Sequence, residues 1–378
     1  MKGKVFVTKT YLPRKEIYYK YLDKIYLSNW LTNFGELYEE LRRRLISFLK
    51  IEDITLVANG TLALTIAYRI LGIKKAIVTP FSFVATVSSL LWKGIDIVFA
   101  DIDKESFCID VDCVEYLLKK EKGIDAVVAV NVFGNACDID GLNYLRDKYG
   151  FKLIFDSCHC FNVYFRGKNI LLYGDVSAIS FHATKIFHTI EGGGIVFSDP
   201  KLHNRAKKLS NFGFETYYVI SELGINAKMN EFEAAMGLAL LDEIDNILEG
   251  RKQAWEYYYV NLKDHVKLQK RNEHCTNNYS HFPVLFSSEK NLLKVLSILE
   301  RENIFPRRYF YPSLHKLPYI KEEHIKVELK NVEYVSERIL CLSLYPGIEK
   351  EVQDIIIEVI KEVENNAQDI KRWKSNNI

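Results

Sequence analysis

The sequence predicts an α/β protein in which a mostly parallel central sheet, covered by helices on both faces, is followed by a smaller α+β domain. Three observations predict it. Short, continuously apolar, β-branched runs alternate with helical stretches through the first half of the chain, as happens where strands are buried on both faces of a parallel sheet. After residue 248 that alternation gives way to mixed helical and extended segments. At 378 residues the chain also exceeds one typical domain. A large domain over 1–248 and a small one over 249–378 follow.

The elements read in order. Ala76–Thr79 is a strand and Ser82–Trp92 the helix after it. Ile97–Ala100 is the next strand, followed by a helix over Asp112–Glu121 with Asp112 as N-cap, a residue type that takes up a free backbone N–H. Ala126–Val130 is a strand, Ile139–Tyr149 a helix, and Lys152–Phe155 a strand ending in Asp156. Val176–Phe181 and Gly194–Phe197 complete the sheet. Met229–Leu248 reads as one long helix, since Phe232, Ala235, Met236, Ala239 and Leu240 recur at three- and four-residue spacing. In the small domain Arg251–Leu262 and Lys290–Arg301 are helical, His281–Phe286 is extended, and Val352–Val363 is an amphipathic final helix. The polar tail Asn365–Ile378 is expected to be loosely held.

Composition narrows the function. The 51 Lys and Arg nearly cancel the 49 Asp and Glu, and no basic run is interleaved with aromatics, so nucleic acid is not an expected partner. No run of about 20 apolar residues exists to cross a membrane, and the first residues lack a secretory pattern; the expectation is a cytoplasmic protein. Seven cysteines, an odd number, make no disulfide framework. Cys158-His159-Cys160 is wrongly spaced for structural zinc, so no metal is expected.

Ligands of such sheets bind beyond the carboxyl ends of the strands, and chemistry-bearing residues collect there. Asp156 ends one strand; alone it reads as a helix cap or a solvated strand end. Ser180 ends the next, Lys185 sits on the turn after it, and Glu191-Gly192-Gly193-Gly194 opens another strand. Alone, the lysine is surface and the glycines a turn. Together they are the parts that pyridoxal phosphate needs: a lysine for the Schiff base and a carboxylate to keep the pyridine nitrogen protonated. Lysine suits that role because its pKa shifts readily on desolvation. Asn59-Gly60-Thr61 opens an apolar helical stretch whose first N–H groups make an anion site, or an ordinary cap. Ser180 offers a second hydroxyl for a phosphate. Phe83, after Thr79-Pro80, either stacks on a flat ring or packs in the core.

These motifs resemble the sugar aminotransferases of the DegT/StrS family, which have the aspartate-aminotransferase (type I) fold. The resemblance rests on Asn33 with Gly35, Asn59-Gly60-Thr61, Thr79 through Thr86, Phe99 through Ile102, Asp156 through His159, Ser180 through Gly194, Asn226 through Glu231 and Leu342 through Pro346. It implies that Lys185 carries the cofactor and later moves the proton, that Asp156 pairs with the pyridinium nitrogen, and that Phe83 stacks on the ring. Gly60, Thr61 and Ser180 would bind the phosphate, His159 would lie beside the ring hydroxyl, and Asn230 would reach the phosphate of a second subunit in a homodimer with shared sites. The chain departs from the family in carrying Ser157, Cys158 and Cys160 where small alanines are usual, and Ser210 where an arginine often precedes Asn-x-Gly.

Within the family, the strings Ser28–Asn33, Ser180–Gly193 and Arg308–His315 are most similar to enzymes that aminate C4 of dTDP-4-keto-6-deoxyglucose, with glutamate as donor. That similarity implies a role in making surface-polysaccharide sugars, and places Asn33, Arg308, Tyr309, Tyr311 and His315 on the sugar-nucleotide side, where loop packing is their alternative. Amination at C3, or a non-catalytic protein that keeps the fold, are the competing readings. A pyridoxamine-dependent dehydratase is disfavoured by Lys185, because such relatives carry histidine there. A cysteine desulfurase lacks a cysteine in a nucleophilic context.

Overall fold

The computed structural model describes residues 3–376. A seven-stranded sheet forms its centre, in the order Thr55–Val57, Gly193–Phe197, Val176–Ser180, Lys152–Asp156, Ala126–Val130, Lys75–Val78, Asp96–Phe99. Every pairing is parallel except those of Gly193–Phe197, which runs antiparallel to both neighbours. The strands foreseen from apolar runs are present within one residue at each end. Thr55–Val57, only three residues long, is an addition at the sheet edge.

The reversed strand shapes the site. Because it runs backwards, its first residue, Gly193, lies at the carboxyl edge of its neighbours, opposite Ser180 and Val57. A Cβ there would stand 2.6 Å from the carbonyl carbon of Asn59 and 2.7 Å from the nitrogen of Gly60. Only glycine lets this strand and the following helix start approach so closely.

Several helix starts are capped by side chains, each cap worth about 1 kcal/mol. Asn59 accepts from Leu62 N at 2.8 Å at the head of Gly60–Leu71. Asp138 accepts from Gly141 N at 2.9 Å before Ile139–Tyr149. The helix expected from Asp112 begins at Val111, and its cap is Asp110, which accepts from Cys113 N at 2.8 Å. Asp112 sits in the first turn instead, where a carboxylate still opposes the positive end of the helix dipole favourably.

The single helix expected over Met229–Leu248 is two, Glu231–Leu241 and Ile244–Leu262. Contacts from elsewhere hold the break, which apolar spacing does not reveal. Tyr21 Oη donates to Asp242 Oδ2 at 2.8 Å, and Arg14 gives its backbone N–H and Nε–H to the two Glu243 oxygens at 3.0 and 2.8 Å. Glu231–Leu241 is apolar all round and is enclosed by two further helices, Lys15–Ser28 and Glu36–Leu49. Leu37, Leu41, Leu45 and Leu49 form the buried stripe of the second.

A separate apolar cluster gathers Ala254, Tyr258 and Leu262 with the helices Glu289–Arg301 and Lys350–Asn376 and the strands Pro283–Leu285 and Ile339–Cys341. The expected polar tail continues that last helix to Asn376; its final two residues lie outside the described part. Among the described residues no helix is long and apolar enough to cross a membrane.

Candidate active site

A cleft of about 320 Å³ lies over the carboxyl edge of the sheet. Its floor is built from strand ends. Asp156 terminates Lys152–Asp156 and is buried, with Thr86 Oγ1 donating to its Oδ2 at 2.7 Å and Cys158 N donating to its Oδ1 at 3.2 Å. Ser82 Oγ shares a 2.7 Å hydrogen bond with Thr86 Oγ1, so a short polar chain fixes the carboxylate.

Lys185 follows the next strand on a turn closed by its N–H to the carbonyl of His182 at 2.9 Å. Its side chain is half-buried in the cleft wall. Burial pushes its pKa below the ordinary lysine value, while Cys158, Asp156 and Cys160 oppose the shift.

At one side of the cleft the helix Gly60–Leu71 presents its N-terminus. Asn59 takes up the Leu62 N–H, and Gly60 and Thr61, whose N–H groups have no partner within the helix, line the cleft. Ser180 stands against Gly60: a Cβ on Gly60 would be 3.1 Å from Ser180 Cβ and 3.3 Å from Cys158 Sγ. Phe83 is 52% exposed although it lines a cleft, so one ring face is free.

His159 and His281 meet with ring centroids 4.6 Å apart. Phe133 N donates to His159 Nδ1 at 3.1 Å, which puts the proton of the neutral ring on Nε2. Burial, then the nearby Lys185, hold both imidazoles well below the usual histidine range. Burial likewise raises the Cys158 and Cys160 thiols, so neither offers a nucleophilic thiolate. All seven cysteines are free.

A buried carboxylate, a desolvated lysine amine, an open helix N-terminus and a free aromatic face in one cleft are the set a phosphate-bearing pyridine cofactor requires. The model of the DegT/DnrJ/EryC1/StrS aminotransferase family matches residues 14–361. The chain belongs to that family.

Two relatives carry the likeness to full length. The chain is 35% identical over 368 residues to a dTDP-4-amino-4,6-dideoxy-D-glucose transaminase of Shigella dysenteriae, covering 96% of this chain and 100% of that one. It is 32% identical over 364 residues to an Escherichia coli protein of the same name, covering 94% and 96%. The crystal structure of DesI with its TDP-sugar product superposes with a TM-score of 0.89 at 27% identity, covering 99% of this chain and 96% of that one.

Of the positions singled out from sequence, this DegT/DnrJ/EryC1/StrS family member gathers Gly60, Thr61, Phe83, Asp156, His159, Ser180, Lys185 and Tyr309 around its cleft. Asn33, Asn230, Arg308, Tyr311 and His315 do not line it. Asn230 caps Glu231–Leu241, accepting from Glu233 N at 2.9 Å, and Asn33 lies on the adjoining loop, whose Leu31 carbonyl accepts from Glu231 N at 2.9 Å. Arg308 is turned away, with Nη2 donating to Glu289 Oε1 at 2.8 Å and to the Glu337 carbonyl at 3.0 Å, under the Tyr311 ring. His315 packs edge-on against Phe99 and reaches Glu333 at 3.3 Å.

Lining residues that went unseen in the sequence include Arg251, His281 and Arg307. The Arg307 backbone pairs with Cys341 at 3.1 and 2.8 Å, and the chain then turns, with Tyr309 N donating to the Arg307 carbonyl at 3.0 Å. Arg307, Tyr309 and Phe310 line the cleft and Arg308 does not.

Proposed function

We propose that the chain moves an amino group from glutamate to C4 of dTDP-4-keto-6-deoxyglucose with pyridoxal 5′-phosphate, giving dTDP-4-amino-4,6-dideoxyglucose for surface-polysaccharide sugars. One observation carries the reading: a half-buried Lys185 amine and a buried, doubly hydrogen-bonded Asp156 carboxylate face one cleft. Two relatives similar over nearly the whole chain are transaminases named for that sugar.

When bound, the cofactor supplies an electron sink for the carbon that gains or loses nitrogen. The chain's residues do the rest. Lys185 Nζ would hold the cofactor and, once displaced, carry a proton to and from the reacting carbon; a lowered pKa leaves more of the amine free to accept it. Asp156, steadied by Thr86, would face the ring nitrogen, and Phe83 would cover a ring face. The Gly60 and Thr61 N–H groups with the Ser180 hydroxyl would cradle the phosphate. His159, with its Nε2 proton, would sit beside the ring hydroxyl.

The reading includes a homodimer with shared sites. Asn33 and Asn230 adjoin a surface where Tyr26 and Leu27 are 74% and 84% exposed and Trp30 and Leu31 are also open, an apolar patch of the kind that partners cover. In that dimer Asn230 would serve the phosphate held by the second copy. The reading also divides the chain near residue 248; the apolar cluster that gathers Ala254, Tyr258 and Leu262 with Leu292, Ile356 and Ile360 supports it, while the helix Ile244–Leu262 runs through that point and Leu285, Phe310, Val332 and Cys341 pack with the sheet core.

Incubation with dTDP-4-keto-6-deoxyglucose and glutamate tests the assignment. NMR of the product should find nitrogen on C4; nitrogen on C3, or faster turnover of the 3-keto isomer, refutes the regiochemistry and leaves the aminotransferase reading standing.

A further inference from the structure

The turn that carries His159 is held by a side chain from the C-terminal part of the chain. Within residues 157–163 the backbone bonds to itself from Cys160 N to the Ser157 carbonyl at 2.8 Å and from Val163 N to the Cys160 carbonyl at 3.3 Å. No backbone N–H among the described residues takes up the carbonyls of His159 or Phe161. Asn278 takes both, its Nδ2 donating to the His159 carbonyl at 2.8 Å and to the Phe161 carbonyl at 2.9 Å. The other end of the amide, Oδ1, accepts from Ser280 N at 3.2 Å, and the residue is only 2% exposed. Gly134, at a φ of +75°, makes room for it: a Cβ there would collide with Asn278 Oδ1 and stand 3.1 Å from the His159 oxygen. Phe133, one residue earlier and also left-handed at a φ of 57°, gives its N–H to His159 Nδ1 at 3.1 Å. On the far side Arg251 donates from Nε to the Tyr279 carbonyl at 3.0 Å and from Nη2 to the Ser280 carbonyl at 2.6 Å, beside a Tyr279 φ of 58°. Backbone in that region persists only where its surroundings over-determine it. Ser280 Oγ shares a 3.1 Å hydrogen bond with His281 Nδ1, and His281 meets His159 at 4.6 Å.

We propose that Asn278 is a positioning residue that acts through His159, fixing both the place of its ring in the cleft and its Nε2–H tautomer. This rests on the reading that sets His159 beside the cofactor's ring hydroxyl, and goes beyond it in naming what holds His159 there. The amide bridges the carbonyls of residues 159 and 161, so a tilt of the turn that carries the ring breaks at least one of its two donations. The tautomer depends on the same contacts. With Nδ1 accepting from Phe133 N, the single proton of the neutral ring stays on Nε2. The turn that aims the Phe133 N–H continues into Gly134, which packs on the Asn278 amide. One set of contacts thus fixes the backbone under the imidazole and the donor that decides its proton. Without the Asn278 amide two carbonyls lose their donor, and the ring is free to leave the Phe133 N–H. A hydrogen-bond donor in a site works only when held within roughly 0.5 Å of its productive place.

Long-range proton–nitrogen NMR of the histidine-labelled full chain reads the tautomer without turnover. Wild-type His159 should carry its proton on Nε2, and Asn278→Ser should show both tautomers. In the holoenzyme the pH midpoint of the visible absorbance change should move in Asn278→Ser in the same direction as in His159→Ala. Asn278→Ser should also lower kcat about tenfold, as loss of one or two hydrogen bonds does, with both KM values within about twofold. In the His159→Ala background the same substitution should cost less than about twofold, because its route of action is gone. If the serine variant does not fold, Asn278→Asp, which keeps the volume and the acceptor for Ser280 N but has no donor, reads the same quantities; the wild-type tautomer needs no variant. A wild-type proton on Nδ1, an unchanged tautomer in Asn278→Ser, or an undiminished effect in the His159→Ala background overturns the proposal. Any of these in an enzyme that still depends on His159 leaves the function standing. Native kcat and a native absorbance midpoint in His159→Ala remove the reading of His159 itself, and the proposal with it.

Discussion

Thr86 donates its hydroxyl to Asp156 at 2.7 Å, from a helix that begins seven residues after the strand Lys75–Val78 to a carboxylate at the end of Lys152–Asp156. Two strands of one sheet thereby cooperate to aim one oxygen. Asp156→Asn should fold, because the amide replaces the carboxylate in volume and still accepts from Thr86, yet it should lose activity by about 100-fold or more, since an amide cannot keep a ring nitrogen protonated. Thr86→Val removes only the donor and should cost about tenfold, in line with one charge-assisted hydrogen bond. Steady-state rates measure both; near-native rates in Asp156→Asn would contradict its role.

Lys185 should be the residue that borohydride fixes to the cofactor. Its amine is desolvated and lines the cleft, whereas Lys228 spends its charge on Asn211 at 2.8 Å and Asn226 at 2.7 Å. Peptide mass analysis after reduction should find the pyridoxyl adduct at Lys185, and Lys185→Ala should lower turnover by at least about 1,000-fold. An adduct on Lys228 or Lys168 sinks the assignment. Capture of the cofactor by apoprotein should also speed up with pH around a midpoint below that of free lysine, because the folded-state pKa is lowered.

The His159–His281 pair sets an acid limit on stability. Both rings are neutral in the fold with pKa values held well below the ordinary one, so the unfolded chain binds more protons between the two values. Their contribution is complete above about pH 6.5 and is lost as pH falls toward the folded pKa. The melting temperature should decline over that acid window, and His159→Gln with His281→Gln should flatten the decline. An unchanged slope in the double variant would show that other buried histidines, such as His188 and His203, dominate it.

The large domain was legible because its strands are buried on both faces: Ala126–Val130 contains no residue that a surface strand would carry. Asp156 and Lys185 were legible because the carboxyl edge of a parallel sheet must collect a ligand. The break between Glu231–Leu241 and Ile244–Leu262 was not, because Tyr21 and Arg14, more than two hundred residues away, supply the hydrogen bonds that hold it. The Lys15–Ser28 and Glu36–Leu49 helices lie outside the α/β alternation that organised the reading. Arg251 and His281 reach the cleft only through tertiary packing of the C-terminal part, and nothing local to either residue marks them.

Asn230 tests whether two chains complete one site. It does not line the cleft of its own chain, and its side chain caps Glu231–Leu241 reciprocally with Glu233, whose carboxyl burial raises to about 7. Asn230→Asp keeps an acceptor for the Glu233 N–H, so the cap survives, but it sets a negative charge where a phosphate of the second copy would lie and should weaken cofactor binding there. Mix this variant with inactive Lys185→Ala and allow subunits to exchange. If Asn230 serves the opposite site, one site of each mixed dimer collects both lesions and the other has neither. Half the sites of mixed dimers, about a quarter of all sites at equal mixing, should then regain wild-type turnover by this counting of independent sites. If Asn230 instead serves its own chain, every site carries one lesion and no activity returns. Exchange itself is read by mass spectrometry of tagged chains, so silence in the activity assay after proven exchange places Asn230 in its own subunit's site.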